Sequence, residues 1–475
     1  MSVALPSKLL YQSKVESASA RSFRSNIQPQ NGTGTYYAGD TIIVNIPTRN
    51  NLVLVPAESY LKFTATIKNG GTANNYIRLD AGGAHGFIQR IRVFHGSNLL
   101  SDIDNYNVLA KMMYDIQVPT DSTYGKYSIL AGTRSDMTVT FPDLTAGGTY
   151  TQADMQLLDL YQGSVVQTNN GAKLNTAQIA ASGTVSGQYC INLVSLVGSL
   201  CAEKYIPLFA MTSAPLRVEI QLVSNALSAV CSAQALDGTT PLSITSCEYV
   251  SQMIELSDSA MGTILGQTGG GPLQFAVTDF KNFASTSNGQ TSTASNTTFA
   301  VPIPAKYSSL KSLFVAVRDS TKTSLATYFP HSSNKFNISE YFFRIGSQVV
   351  PSKNPNNSTE MFAELLKAIG SLGDYNHQPS IDNNAYTQDY PTANNDTATQ
   401  TSTVNSGSFY IGLDLENYSS ADRSTIFAGW NSNTDDIYFN PTYGSTTAAT
   451  TLRFDSYAMF DSVLVCENNT AYVKF

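Results

Sequence analysis

Two stretches of this chain, 250 residues apart, carry one pattern, and few folds accommodate such a repeat. Residues 94–100 read FHGSNLL and residues 344–350 read RIGSQVV; each ends a strand-like run, turns on Gly-Ser and resumes with an apolar pair. A helical stripe follows each time. Val108, Leu109, Met112, Met113 and Ile116 form the first, and Met361, Phe362, Leu365, Leu366 and Ile369 repeat the same spacing 253 residues later. Asn357, with Glu360 three residues on, is expected to open the second helix and Gly370 to stop it. A further pairing sets YCINL at 189–193 against FYIGL at 409–413, offset by 220. The simplest account is two tandem copies of one unit, a long-period duplication and not a solenoid.

The rest of each copy reads as strands. Runs such as TIIVNIP at 41–47, YLKFTATI at 60–67, LRVEIQLV at 216–223 and FYIGLDL at 409–415 are separated by Gly, Asn, Pro and Ser. In 87–94, Phe87, Ile91 and Val93 fall on one face and Arg90 and Arg92 on the other, the alternation of a half-buried antiparallel strand. Charged residues make up only 13% of the chain, against a usual share of about 25%. Coiled coils and helical bundles are excluded on that ground, and an all-β fold with polar, uncharged loops is expected. The divider is placed at 257–271, SDSAMGTILGQTGGG, where three glycines are expected to deny any strand or helix. The expected organisation is a basic arm over 1–35, a first domain over 36–257, a Gly-rich linker over 258–272 and a second domain over 273–475. The tracts 284–298 and 380–407, rich in Asn, Ser and Thr, are expected to be exposed.

Little in the sequence points to catalysis. The four histidines stand apart, and no nucleophile elbow, zinc-binding helix or phosphate loop is present. Asp102 and Asp104 begin like a calcium loop, but Asn107 and Met113 replace its Gly and closing Glu, so helix capping is the expected role. Asp435 and Asp436 read as turn residues, and Arg90, Arg92 and His95, which could form an anion site, read better as a solvated or salt-bridged strand face. Five cysteines without CxxC spacing suggest buried free thiols in a reducing compartment. No apolar run is long enough to span a membrane and no signal peptide is visible, which predicts a soluble chain made in the cytosol. The net charge is −7, yet Lys8, Lys14, Arg21 and Arg24 face only Glu16 in the first 30 residues, a local +3 that leaves −10 for the remainder. A basic arm on an acidic body hints at an anionic partner at that end.

These residues carry a resemblance. FIQRIRVFHGSNLLSDID followed by a helix, then INLVSLVGSLCAEKYIPLFAMTSAPLRVEIQL, is similar to the first half of the double jelly-roll major capsid proteins of double-stranded DNA viruses. YFFRIGSQVV, FYIGLDLE and the closing TLRFDSYAMFDSVLVCENNTAYVKF look like the partner jelly roll, most like the polinton-like virus and virophage branch. The resemblance implies two tandem jelly-roll sandwiches, each with a short helix in an inter-strand loop, and no enzymatic activity or cofactor. It also implies homotrimers that act as pseudo-hexameric capsomers of an icosahedral virion shell. Penton and minor capsid proteins would be partners, and the arm residues Lys8, Lys14, Arg21 and Arg24 would face neighbours, genome or an inner membrane. The tracts 146–187 and 380–407 would form the outer crown. Two alternatives remain at this stage: a two-domain lectin or adhesin, and an amidase or glycan hydrolase on the same scaffold.

Overall fold

The computed structural model describes residues 20–32, 34–72, 77–133, 180–194, 205–232, 235–267, 269, 271–287, 297–320, 329–374, 376, 379–389, 407–417, 427–444 and 451–475. Its first half contains β1 (Ala20–Ile27), β2 (Thr41–Ile46), β3 (Leu52–Lys68), β4 (Ile88–His95) and β5 (Asn98–Asp104). Helix α1 (Tyr106–Gln117), β6 (Thr184–Ile191), β7 (Leu216–Leu222) and β8 (Leu242–Leu256) complete it. Helix α2 (Asp258–Gln267) leads to the second half, with β9 (Leu273–Ser287), β10 (Val301–Ile303), β11 (Leu310–Asp319), β12 (Ile338–Ile345) and β13 (Gln348–Val350). Helix α3 (Ser358–Ala368), β14 (Tyr410–Asp414), β15 (Ile437–Tyr443), β16 (Leu452–Glu467) and β17 (Thr470–Lys474) follow.

The two halves have one topology. In the first, one sheet runs β1-β8-β3-β6 and the other β2-β7-β4-β5; in the second, the orders are β9-β16-β11-β14 and β10-β15-β12-β13. Each strand of the second half thus takes the place of the strand eight earlier in this numbering. Two facing antiparallel sheets in this interleaved order make a jelly roll, so the fold is all-β with two tandem jelly-roll sandwiches. Among the described residues, every strand pairing joins strands of the same half. The strand β17 extends the second half by pairing with the end of β16.

Alternation fixes which face of each strand is core. Ile42, Val44 and Ile46 of β2 and Leu216, Val218, Ile220 and Leu222 of β7 are buried, while the residues between them are not. A strand that slipped by one residue would turn all of these outward. The repeated Gly-Ser turns join β4 to β5 and β12 to β13 as two-residue hairpin loops. Gly96 (φ +58°) and Gly346 (φ +56°) occupy the left-handed region at the first central position, where such a turn favours glycine.

The helices depart from simple duplication. Asn357 caps α3 as expected, its Oδ1 accepting from the Glu360 N–H at 2.8 Å. Its Met361 and Leu365 are buried, and α3 lies so close to β14 that a Cβ on Gly412 would meet Leu365 Cα at 2.8 Å. Helix α1 is buried on every side, including Lys111 and Asp115. Two further short helices, Thr120–Tyr124 and Lys126–Ala131, follow it, and another, Asn383–Thr387, lies in the second half.

Three expectations are corrected. The segment expected as an arm over 1–35 contains β1, which pairs along its whole length with β8 and buries one side of Phe23 and Ile27 against the core. The segment expected to contain no helix forms α2. Ser257 Oγ accepts from the Ala260 N–H at 3.4 Å and opens the helix, and the run of glycines begins only after its last turn, where Gly269 takes φ +58°. Neither Asp102 nor Asp104 caps α1. Both belong to β5, and the cap position falls to Asn105 in the left-handed region at φ 47°. The tract 284–298 begins inside β9, and its residues 288–296 lie outside the described residues. The proposed crown tracts do so for 146–179 and 390–406.

Candidate functional site: the seam between the halves and an open sheet face

The corner formed by β5, Asn105 and α1 lies across the outer face of the β9-β16-β11-β14 sheet. That corner is built by the sequence: the strand must end where Asn105 reverses the backbone, and α1 then runs into the second half. Asn105 Nδ2 donates to Asn282 Oδ1 at 3.1 Å and to Asp455 Oδ1 at 3.3 Å, while Tyr457 OH donates to the Asn105 carbonyl at 2.8 Å. Asp455 is itself held by Arg318 and Arg453, each at 3.0 Å. Nearby, Asp102 is bracketed by Arg90 from its own sheet (2.7 and 2.9 Å) and by Lys281 from the other half (2.5 Å). Burial pushes the Asp102 carboxyl up, but these two cations outweigh it and leave it below the usual carboxylate range.

Further along α1, the three N–H groups of Lys111 Nζ are shared among Asp115 Oδ2 (2.7 Å), the Gly407 carbonyl (2.9 Å), Ser408 Oγ (3.0 Å) and Tyr410 OH (3.0 Å). The Ser408 and Tyr410 hydroxyls donate in turn to Asp115 Oδ2 at 2.8 and 3.0 Å, closing the network. A serine hydroxyl beside a lysine is the geometry of some nucleophilic sites. Here the Lys111 and Asp115 side chains are 0% and 2% exposed, and each polar group is spent on another, so the cluster fastens the two halves. The backbone N–H of His331 donates to Asp80 Oδ2 at 2.7 Å, a further crossing of the seam. Burial lowers His331 to about 4 and His85, enclosed by Tyr106 and Tyr114, to about 3. At the far end His95 Nδ1 accepts from the Ala471 N–H at 3.0 Å, while its Nε2 lies 2.9 Å from the Met211 carbonyl.

The equivalent face of the first half is treated differently. Across β16, β11 and β14, the row Asp455, Ala316 and Tyr410 is fully buried. Across β8, β3 and β6, the corresponding row is Glu248, Lys62 and Cys190. Its Lys62 side chain is 41% exposed, Thr64 beside it is half-buried and Gln188 is exposed. Among the described residues, no part of the second half pairs or hydrogen-bonds with this row, whose polar contacts are local: Lys62 to Glu248 at 3.8 Å and Asn26 to Glu248 at 2.9 Å.

The residues singled out in the sequence separate. Lys8 and Lys14 lie outside the described residues. Arg21 and Arg24 stand three apart on β1 and so point to opposite faces of the strand, not to one patch. Arg24 sits 5.9 Å from the Tyr60 ring centroid and donates to Asn26 at 3.1 Å. Arg92 pairs with Glu219 at 2.8 Å, so Arg90 and Arg92 do lie on a salt-bridged strand face, whereas His95, expected beside them, is buried with Ile91 and Val93. Asp435 and Asp436 hold a turn, accepting from Trp430 Nε1 (3.2 Å) and Lys306 (2.9 Å). Cys190, Cys231, Cys247 and Cys466 are free, and burial pushes the Cys247 and Cys466 thiols up to about 12. The seam residues Asn105, Lys111, Asp115 and Asp455 were not distinguished by the sequence, because a Lys and an Asp four apart on a helix ordinarily read as a solvated pair. Among the described residues, no group of three His, Cys, Asp or Glu could hold a metal ion, and no helix is long and apolar enough to cross a membrane.

No family model and no curated protein sequence matches the chain. Solved structures do. A chain of the Sputnik virophage cryo-EM structure matches with TM-score 0.60 at 11% identity, covering 100% of this chain and 93% of that one. The mavirus major capsid protein matches with TM-score 0.55 at 11% identity over 100% and 95% of the two chains. A chain of the PBCV-1 virus capsid gives TM-score 0.57 at 9% identity over 98% and 99%. The likeness is one of fold along the full length, and the double jelly roll expected from the resemblance is the fold found.

Proposed function

We propose that this chain is a structural, non-enzymatic major capsid protein of a double-stranded DNA virus in the polinton-like virus and virophage group. Three copies form a homotrimer of six similar jelly rolls, and these pseudo-hexameric capsomers tile the facets of an icosahedral shell. The observation that carries the reading is the unequal fate of two equivalent faces: among the described residues, one is covered within the chain and its counterpart is left open. A unit that covers its neighbour in one direction while offering the same face in the other is suited to a closed ring of like units. The full-length likeness in fold to capsid proteins supports the same reading. Obligate contacts of this kind bury on the order of several thousand Å² per assembly.

In this reading the chain is made in the host cytoplasm and resides in the virion shell, beside penton and minor capsid proteins. The segment before β1, with Lys8 and Lys14, lies on the inner side toward neighbours, genome or an inner membrane. Size exclusion with light scattering on the purified protein tests the assembly. A species of about three times the 51.2 kDa chain mass, or larger particles, is expected. A single chain that persists at high concentration sinks the reading.

A further inference from the structure

We propose that the C-terminal hairpin, β16 with β17, is an acid-released latch between the two halves, held shut by one tautomer of His95. The latch belongs to the single chain, so it stands or falls independently of assembly.

A short stretch of sequence builds it. Strand β16 turns at Asn468 and Asn469, both in the left-handed region (φ 51° and 60°), and returns as β17, with Glu467 opposite Thr470 across a two-residue loop. Asparagine accepts that backbone more readily than most side chains do. Three hydrogen bonds join this end of the hairpin to the first half. The Ser213 N–H donates to the Asn469 carbonyl at 3.1 Å, and Asn98 Nδ2 donates to the Ala471 carbonyl at 3.0 Å. The Ala471 N–H donates to His95 Nδ1 at 3.0 Å.

The last of these depends on the protonation of the ring. His95 is buried at the end of β4, with its Nε2 2.9 Å from the Met211 carbonyl and 3.1 Å from the Ala214 carbonyl. A carbonyl only accepts, so Nε2 carries the ring hydrogen and Nδ1 holds the lone pair that receives Ala471. A second proton has no place but Nδ1, where it would set one N–H against another. The released hairpin leaves Nδ1 free to take that proton and the docked hairpin does not. Docking is therefore complete while the ring is neutral and is lost as the pH falls.

Charged side chains on the surrounding elements are engaged elsewhere. On β4 and β7, Arg92 and Arg217 lie 2.8 and 3.2 Å from Glu219, and Arg217 covers the Phe94 ring. Asp102 of β5 is held by Arg90 and Lys281. On the hairpin, Tyr472 OH donates to Glu467 at 3.2 Å and Lys474 lies over the Tyr472 ring. Among the described residues none of them forms an ion pair with His95, so no carboxylate is placed to hold an imidazolium in the docked state.

Deuterium exchange on the full chain tests the latch, with rates corrected for the intrinsic effect of pH and read in peptides covering 468–475 and β7. Between about pH 7.5 and about pH 5 the wild-type hairpin should exchange about tenfold faster, on the scale of one hydrogen bond, while β7 is unchanged. His95→Asn puts an oxygen that does not titrate near the Nδ1 position, so its hairpin should be equally protected at both pH values. His95→Gln reaches toward Met211 and leaves Ala471 without an acceptor, so its hairpin should be equally open at both. A wild-type hairpin equally protected at the two pH values overturns the inference, as does an acid response retained by both variants. Hairpin and β7 opening together would also overturn it, since that is loss of the fold and not release of a latch.

Discussion

Lys111 and Tyr410 meet across the seam, the ammonium donating to the phenol oxygen at 3.0 Å with the ring centroid 5.4 Å away, although they are 299 residues apart in sequence. The contact joins the first half's helix to the second half's outermost sheet strand, and it is completed by Asp115. No solvent reaches the cluster, so its members depend on one another.

Removing the cation alone should therefore be costly. Lys111→Met strands a buried carboxylate at Asp115 and should destabilise the fold by about 3–5 kcal/mol. Adding Asp115→Leu should return much of that loss, because two apolar side chains replace the pair. Denaturant unfolding of the single and double variants checks this; additive losses would mean that the pair does not act as a unit.

The fold should also loosen in acid, within the first half at His85 and at the seam at His331. His85 and His331 have folded values near 3 and 4, below the ordinary 6.5, so the unfolded chain binds the proton first. The stability they contribute is complete above pH 6.5 and is lost as pH falls toward those folded values. By pH 4.5 each should have cost about 2–3 kcal/mol relative to pH 7. Comparing denaturation midpoints at pH 7 and 4.5 for wild type and His331→Gln reads this directly: the variant should show the smaller acid shift. An equal shift would remove His331 from the account.

The duplicated turns make a matched pair of tests. Gly96→Ala and Gly346→Ala each force a side chain into the left-handed region, at about 1–2 kcal/mol apiece. Thermal midpoints of the two variants should fall by similar amounts. A loss at only one site would show that the turns are not equivalent.

Truncation separates the arm from the sheet. Deleting residues 1–19 should leave the thermal midpoint nearly unchanged while weakening particle formation or genome retention. Deleting residues 1–27 also removes β1, bares the edge of β8 and takes Phe23 and Ile27 from the core, so the fold itself should be destabilised. If the shorter deletion assembles and retains genome like the wild type, the arm has no role at the inner side.

Much of the architecture could be read from the sequence because its signals are local. The Gly96 and Gly346 turns, the Asn357 cap and the alternation in β2, β4 and β7 are each decided within a few residues. The start of the first sheet was missed because β1, with Arg21, Ser22, Arg24 and Asn26, reads as a solvated tail until β8 supplies its partner. Helix α2 was missed because weight fell on Gly269 and Gly271, which stop it, and not on Ser257, which opens it. The seam was illegible for a different reason. Lys111, Asp115, Asn105 and Asp455 take their meaning from groups hundreds of residues away, and no local pattern encodes that.

The connection from β8 to β9 is a single short helix with a few flanking residues. Two units tethered at such range experience each other at an effective concentration on the order of millimolar, whatever the dilution of the chain. Under that tether the polar clusters of the seam meet at a local concentration that dilution cannot lower. Covalent linkage also settles stoichiometry: every first half arrives with its own second half, and neither can be made in surplus.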